Sequence, residues 1–257
     1  MLALVLTGCE LIGEAEQLIP VPLPVDTTGR AHVLIEFTGF RCVNCPKAAE
    51  AAADLQHTYA DRLIVVAMHP ASNPFTQGVA QYDYTAQAAD TYYRYLGGTA
   101  TTSFPIGNID FAQDDNTWLS TYPEWATLLA KRMREPAKVH LSLSARMDAD
   151  TREVTVSVTD YADIEQSCRM LTWLVEDSVQ GAQAMPDGSV DMQYMHRHMF
   201  RMAVGEPWGD SVNIRPIPTQ RAVSLIVPEQ YVIRRCAVVV VLIDEHNTIV
   251  NAKQVKL

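Results

Sequence analysis

The sequence predicts an α/β domain followed by an all-β domain. Three observations lead there. Between Ala31 and His69 a continuous apolar run, a strongly helical run and a second apolar run follow one another with short joins. After Pro136 the texture changes to short strand-like runs separated by turn residues. The 257 residues exceed one small core and suit two domains of ordinary size.

Taken in order, HVLIEF is apolar throughout apart from one acid, which suits a strand buried on both faces. KAAEAAADLQHTYADR, from Lys47 to Arg62, is rich in strong helix formers. LIVVAMH, from Leu63 to His69, is a second buried strand. Strand, helix and strand make a βαβ unit with parallel pairing. Residues 70–100 read as an insertion, a turn-rich loop followed by a helix around TAQAADTYYRYLGG, with tyrosines at Tyr82, Tyr84, Tyr92, Tyr93 and Tyr95 that pack it onto the core. TTSFPIGNID holds a short strand entered through Phe104 and Pro105. PEWATLLAKRMR, from Pro123 to Arg134, is an amphipathic helix with proline at its start and basic residues at its end, where the helix dipole favours them. Beyond Pro136, KVHLSLSARMD, REVTVSVTD, RMLTWLVEDS, AVSLIV and CAVVVVLIDEHNTIVNAKQVKL predict an antiparallel β-sandwich of immunoglobulin-like type.

The N-terminus carries an address. Met1 to Leu6 is apolar and runs into Leu6, Thr7, Gly8 and Cys9, which resembles the lipobox of bacterial lipoproteins, where the cysteine is lipidated. The run is too short to span a bilayer and lacks a basic leader, so the expectation is a longer precursor. Pro20, Pro22 and Pro24 then mark an extended tether. Outside the cytoplasm disulfides persist. With Cys9 acylated, the other four cysteines suit two bridges, Cys42–Cys45 and a structural Cys168–Cys236.

Hydrophobic residues make up 48% and charged residues 19%, a globular composition. The net charge of −10 offers no field for phosphates and argues against a nucleic-acid partner. No serine-nucleophile elbow or phosphate loop is present. One CxxC falls short of a four-ligand zinc site. His196 and His198 would share a strand face if Met192 to Met202 were extended, but no third ligand is in sight. Asp83, Asp110, Asp114 and Asp115 lack EF-hand order. No metal and no cofactor is expected.

FTGFRCVNCP places Cys42 and Cys45 between the first strand and the helix. A cysteine at a helix N-terminus is favoured as thiolate, and Arg41 adds positive charge beside it. This arrangement resembles the thioredoxin fold. The resemblance implies that Cys42 exchanges with a partner, that Cys45 resolves the mixed disulfide, and that Glu36, inside the strand, is the buried acid that moves a proton. It also implies a cis Pro105 facing the disulfide, with Phe104 and Arg41 contacting the substrate peptide. The sequence departs from the family in having Arg41 where an aromatic residue is common, Val43 and Asn44 as the central pair, and Pro46 after it.

Over residues 31–257 the chain is similar to a narrower group of outer-membrane lipoproteins near this chain's 28.5 kDa, with a thioredoxin-like domain followed by a β-sandwich. FTGFRCVNCP and YMHRHMFR, from Tyr194 to Arg201, carry that similarity. The expected organisation is a lipoprotein signal remnant at 1–9, a tether at 10–30, a thioredoxin-like domain at 31–136 and a β-sandwich at 137–257. Two functions follow for a protein lipid-anchored to the outer membrane, on its periplasmic or surface side. One is thiol–disulfide oxidoreductase activity on protein thiols or disulfides. The other is surface binding or adhesion, with the fold as scaffold and Cys42–Cys45 as a permanent bridge.

Overall fold

A computed structural model describes residues 29–77 and 83–257, so Cys9, most of the tether and Tyr82 lie outside the described residues. The first strand, β1 (His32–Phe37), is buried along its whole length and pairs in parallel with β2 (Leu63–Met68). The crossover between them is α1 (Cys45–Tyr59), ended by a single 3-10 turn at Ala60–Arg62. The helix therefore starts at Cys45, two residues earlier than its propensity suggests, with Pro46 in its first turn, where no backbone N–H is needed. On the other side of β1 lies β3 (Ile106–Ile109), antiparallel. Two more helices follow the expected segments, α2 (Gln87–Tyr95) and α3 (Tyr122–Arg132), the latter opened by a capping box between Thr121 and Glu124.

The second half supplies ten strands: β4 (Val139–Met147), β5 (Glu153–Ala162), β6 (Gln166–Glu176), β7 (Val179–Ala184), β8 (Val190–His196), β9 (Met199–Ala203), β10 (Asp210–Ile214), β11 (Thr219–Ile226), β12 (Cys236–Ile243) and β13 (Ile249–Lys256). They do not form a sheet system of their own. One sheet runs β13-β12-β6-β9-β2-β1-β3 through both halves, with β10 also on β6. The join is slight: β2 meets β9 at Ala67 opposite Met199.

One face of this sheet is covered twice over. The small sheet β11-β5-β4 packs on the β6 and β12 end, enclosing Val156, Leu174, Val238 and Val240. Helices α1 and α3 cover the β1 and β2 end, around Leu34, Val65, Trp125 and Leu129. The opposite face carries α2 and a single apolar cluster that spans both halves, from Ile35 and Val66 to Trp173 and Val239. β12 is buried at every position, which explains why it reads as an unbroken valine run rather than an alternation.

Tyr92 of α2 sits at the centre of that layer, its ring among Phe111, Trp173, Phe200 and Trp208. It accepts a hydrogen bond from Trp173 Nε1 at 2.9 Å and donates to the carbonyl of Pro207. Burial raises the Tyr92 hydroxyl beyond its ordinary range, so it remains protonated and able to donate. Tyr92→Phe removes the acceptor of a buried indole N–H and should destabilise the fold by about 1–3 kcal/mol. Urea denaturation should show a lower midpoint with an unchanged slope.

Candidate functional site

Cys42 and Cys45 form a disulfide with a Cα separation of 5.4 Å. Cys42 lies just before α1 and Cys45 is its first residue, so the bridge sits at the positive end of the helix dipole. The loop before it is tightly held. A side chain at Gly39 would press to within 2.4 Å of the Phe75 carbonyl oxygen, and that same oxygen accepts from the Arg41 amide at 3.1 Å. Arg41 is exposed and leans over the Phe40 ring at 5.7 Å. The Phe104–Pro105 peptide is cis, with Phe104 stacked on Phe75 at 5.9 Å.

Both cysteines are only 2% exposed, and a ribbon from the second half lies against the loop that carries them. Strands β7 and β8 pair with each other alone. The Ala184 amide of β7 donates to the Phe40 carbonyl at 2.7 Å, and Gln183 Nε2 donates to the Cys42 carbonyl at 2.9 Å. The turn between the strands follows from Met185, Pro186, Asp187 and Gly188, with Gly188 at φ 84°. That turn signal was available in the sequence. The strand beside it, VQGAQA, has only one large apolar residue, and β8 is mostly exposed.

Behind the bridge, Glu36, Cys45, Ala67, His69, Gln183, Tyr194 and His196 line one small cavity, with room of about 20 Å³ for the centre of a water molecule. Glu36 is 2% exposed, and burial alone pushes its carboxyl up to about 8, so it is largely protonated at neutral pH. Burial also holds His69 well below its ordinary value, with His196 and Arg201 adding to the effect. Among the described residues neither ring nitrogen of His69 nor Oε1 of Glu36 has a hydrogen-bond partner. His196, brought to about 4 chiefly by burial, packs at a tilt against Tyr84 and edge-on against Tyr194. Glu36 was singled out in the sequence and His69 was not, since a histidine at a strand end carries no motif; both line this cavity.

Two expectations need correction. Cys168 and Cys236 are buried free thiols. Cys236 pairs opposite Glu176 at one end of β6, whereas Cys168 lies near the other end of that strand, so no bridge can form. Met192 to Met202 is not one extended strand. It breaks at His198, whose φ of 53° separates β8 from β9, and His196 and His198 do not share a face. Among the described residues no group of three or more His, Cys, Asp or Glu side chains is placed to hold a metal. Asp110 instead receives the Val33 amide, His32 and Arg30, and Asp114 pairs with Arg132.

The fold and site thus define a mixed α/β and β protein whose buried CxxC disulfide is overlaid by a hairpin from its second half. Residues 89–257 match the family model described as outer membrane protein Omp28, and the chain belongs to that family. The match begins beyond Glu36 and the two cysteines. Family membership associates the protein with the outer membrane. No helix among the described residues is long and apolar enough to cross a membrane. Among solved structures, the chain resembles HBP35 of Porphyromonas gingivalis at 18% identity and a TM-score of 0.70, over 89% of this chain and 76% of that one. Protein AGR_C_4864 from Agrobacterium tumefaciens aligns at 16% identity and a TM-score of 0.50, over 88% and 93%. At such identities these likenesses speak to the fold alone. No curated protein matches.

The Glu36 burial has a measurable consequence. Its folded pKa of about 8 lies above the ordinary 4.5, so the folded state holds a proton that the unfolded state releases between those values. The associated stability is fully present below pH 4.5 and is lost as pH rises towards 8. Thermal unfolding of the wild type should fall across that window, whereas Glu36→Gln should show a flatter profile and a higher midpoint at pH 8.

Proposed function

We propose that the protein is an outer-membrane-anchored thiol–disulfide exchange protein, with a thioredoxin-like first half and Cys9 as its lipid attachment. The observation that carries this is the shared cavity of Cys45 and a protonated Glu36, set directly behind a disulfide at a helix start. A bridge that served only as a staple would gain nothing from an acid kept neutral beside one of its sulfurs.

The chemistry runs as follows. A partner protein's thiolate attacks Cys42 Sγ, forming a mixed disulfide as the Cys42–Cys45 bond breaks. Cys45 leaves as a thiolate and takes the proton of Glu36. A second partner thiolate then attacks its own mixed-disulfide sulfur, and Cys42 departs as a thiolate stabilised by the N-terminus of α1. Two electrons pass from the partner dithiol to the cysteine pair, and the reverse sequence reduces a partner disulfide. Phe104 and Pro105 flank the partner peptide, and exposed Arg41 contributes positive charge to the approach. No cofactor is required.

The second reading, a surface-binding scaffold with a permanent bridge, is favoured by one observation: the 2% exposure of both cysteines. Equilibration with glutathione buffers separates the two. The exchange reading expects a reduction potential within the glutathione range and a mixed disulfide trapped by Cys45→Ser. A potential below about −300 mV, with nothing trapped, leaves the scaffold reading. Anchoring is tested apart from this: Cys9→Ser should move the protein from the membrane to the soluble fraction.

A further inference from the structure

The β7–β8 ribbon has the features of a removable part. It leaves the main sheet after the pairing of Glu176 with Met199, and its two roots, Ser178 and His198, both take left-handed backbone angles, φ 56° and 53°. These turn the chain out of the sheet on each side. Beyond the roots the ribbon pairs only with itself, and a lone two-stranded hairpin is marginal in water. Most of β8 is exposed, including Val190 at 57% and Met192 at 54%. Its inner face is held by few contacts: Ala182, Gln183 and His196 are buried, and Gly181 lies so close to Tyr84 that a Cβ there would fall 1.6 Å from the hydroxyl oxygen. Such segments open locally at a small fraction of the cost of global unfolding.

What the ribbon covers is equally specific. Ala184 offers its backbone amide to the Phe40 carbonyl, and Gln183 reaches the Cys42 carbonyl and, at 3.5 Å, that of Gly39. These are carbonyls of the loop that carries the disulfide. An extended backbone lying along that loop would use the same acceptors.

We propose that β7 is an intramolecular occupant of the disulfide's peptide groove, and that exchange requires the ribbon to lift about Ser178 and His198 so that an extended, thiol-bearing segment of a partner protein can take its place. The proposal rests on the exchange reading for the identity of the partner. The partner segment donates a backbone amide to the Phe40 carbonyl and presents its thiolate to Cys42 Sγ. Its fit is to unfolded or loop-borne chain rather than to a helix.

Two variants test it, both in the full protein. Gln183→Ala removes a hydrogen bond made only when the ribbon is down, and should raise the rate of Cys42–Cys45 reduction about fivefold. Gly181→Ala adds a methyl group against Tyr84 and should raise it further, leaving the Gln183 side chain in place. The probes are dithiothreitol and reduced, unfolded ribonuclease, with alkylation and mass spectrometry as readout in urea well below the unfolding midpoint. Faster reduction in both variants with both probes, and only weak urea dependence in the wild type, is the expected result. Rates unchanged in both variants with either probe would overturn the proposal, as would wild-type reduction as urea-dependent as global unfolding. The glutathione potential is a separate quantity. A very low potential with accelerated variants removes the exchange reading and leaves the ribbon as a shield, whereas a glutathione-range potential with unchanged rates removes only the strap.

Discussion

Few backbone hydrogen bonds join the two halves of the main sheet among the described residues: the Ala67 amide donates to the His198 carbonyl at 2.8 Å beside the Ala67–Met199 pair, and the Ile249 amide donates to the Asp110 carbonyl at 2.8 Å. Each such bond contributes about 1 kcal/mol net, far too little to fix the relative position of two sheets. The fixing is done by side chains. On one face the rings of Tyr92, Phe111, Trp173, Phe200 and Trp208 interlock across the join, most at edge-on or tilted angles that suit their quadrupoles. At the far edge a polar seam does the same. The Asn251 side chain accepts from the Ala31 amide and donates to the Val139 carbonyl, while Arg30 bridges Asp110 and the Ile249 carbonyl. These groups are buried, so each is costly to leave unpaired and the geometry is strongly specified.

That rigid join is what lets a segment of the second half reach the chemistry of the first. The ribbon emerges at Glu176 and re-enters at Met199, beside the join. Both roots are tied there: the His198 amide donates to Asp177 Oδ1 at 3.3 Å, and the Asp177 amide donates to the Arg235 carbonyl at 2.9 Å. With its base fixed, the ribbon can arrive over Phe40 and Cys42 in one register. A looser join would smear the position of Ala184 by more than a hydrogen bond tolerates.

Much of the first half was legible because its forces are local. HVLIEF and LIVVAM are buried on both faces and so read as unbroken apolar runs, and the intervening alanines declare a helix. Glu36 stood out as the one acid in such a run. What the residues could not announce depends on pairing between distant segments. The Cys168–Cys236 bridge failed because an even count of thiols says nothing about strand register. The division at residue 136 marks a change of texture, but texture does not reveal that β9 closes onto β2. The ribbon was missed because VQGAQA carries only one large apolar residue, and the alternation from Val190 to Tyr194 does not show which strand it pairs with.

The ribbon and the acid are linked physically. Glu36 stays near 8 because nothing but burial acts on it, and the lid of its cavity includes Gln183, Tyr194 and His196 from the ribbon. Lifting the ribbon hydrates the cavity, and hydration returns a carboxyl towards its ordinary 4.5. The proton is therefore held most firmly when the disulfide is covered and becomes easier to release as the disulfide is reached. At neutral pH a fully hydrated carboxyl is already ionised, so Glu36 can protonate a thiolate leaving on Cys45 only while its cavity stays largely dry. Access to the sulfur and delivery of the proton are then coupled, through the same few buried side chains.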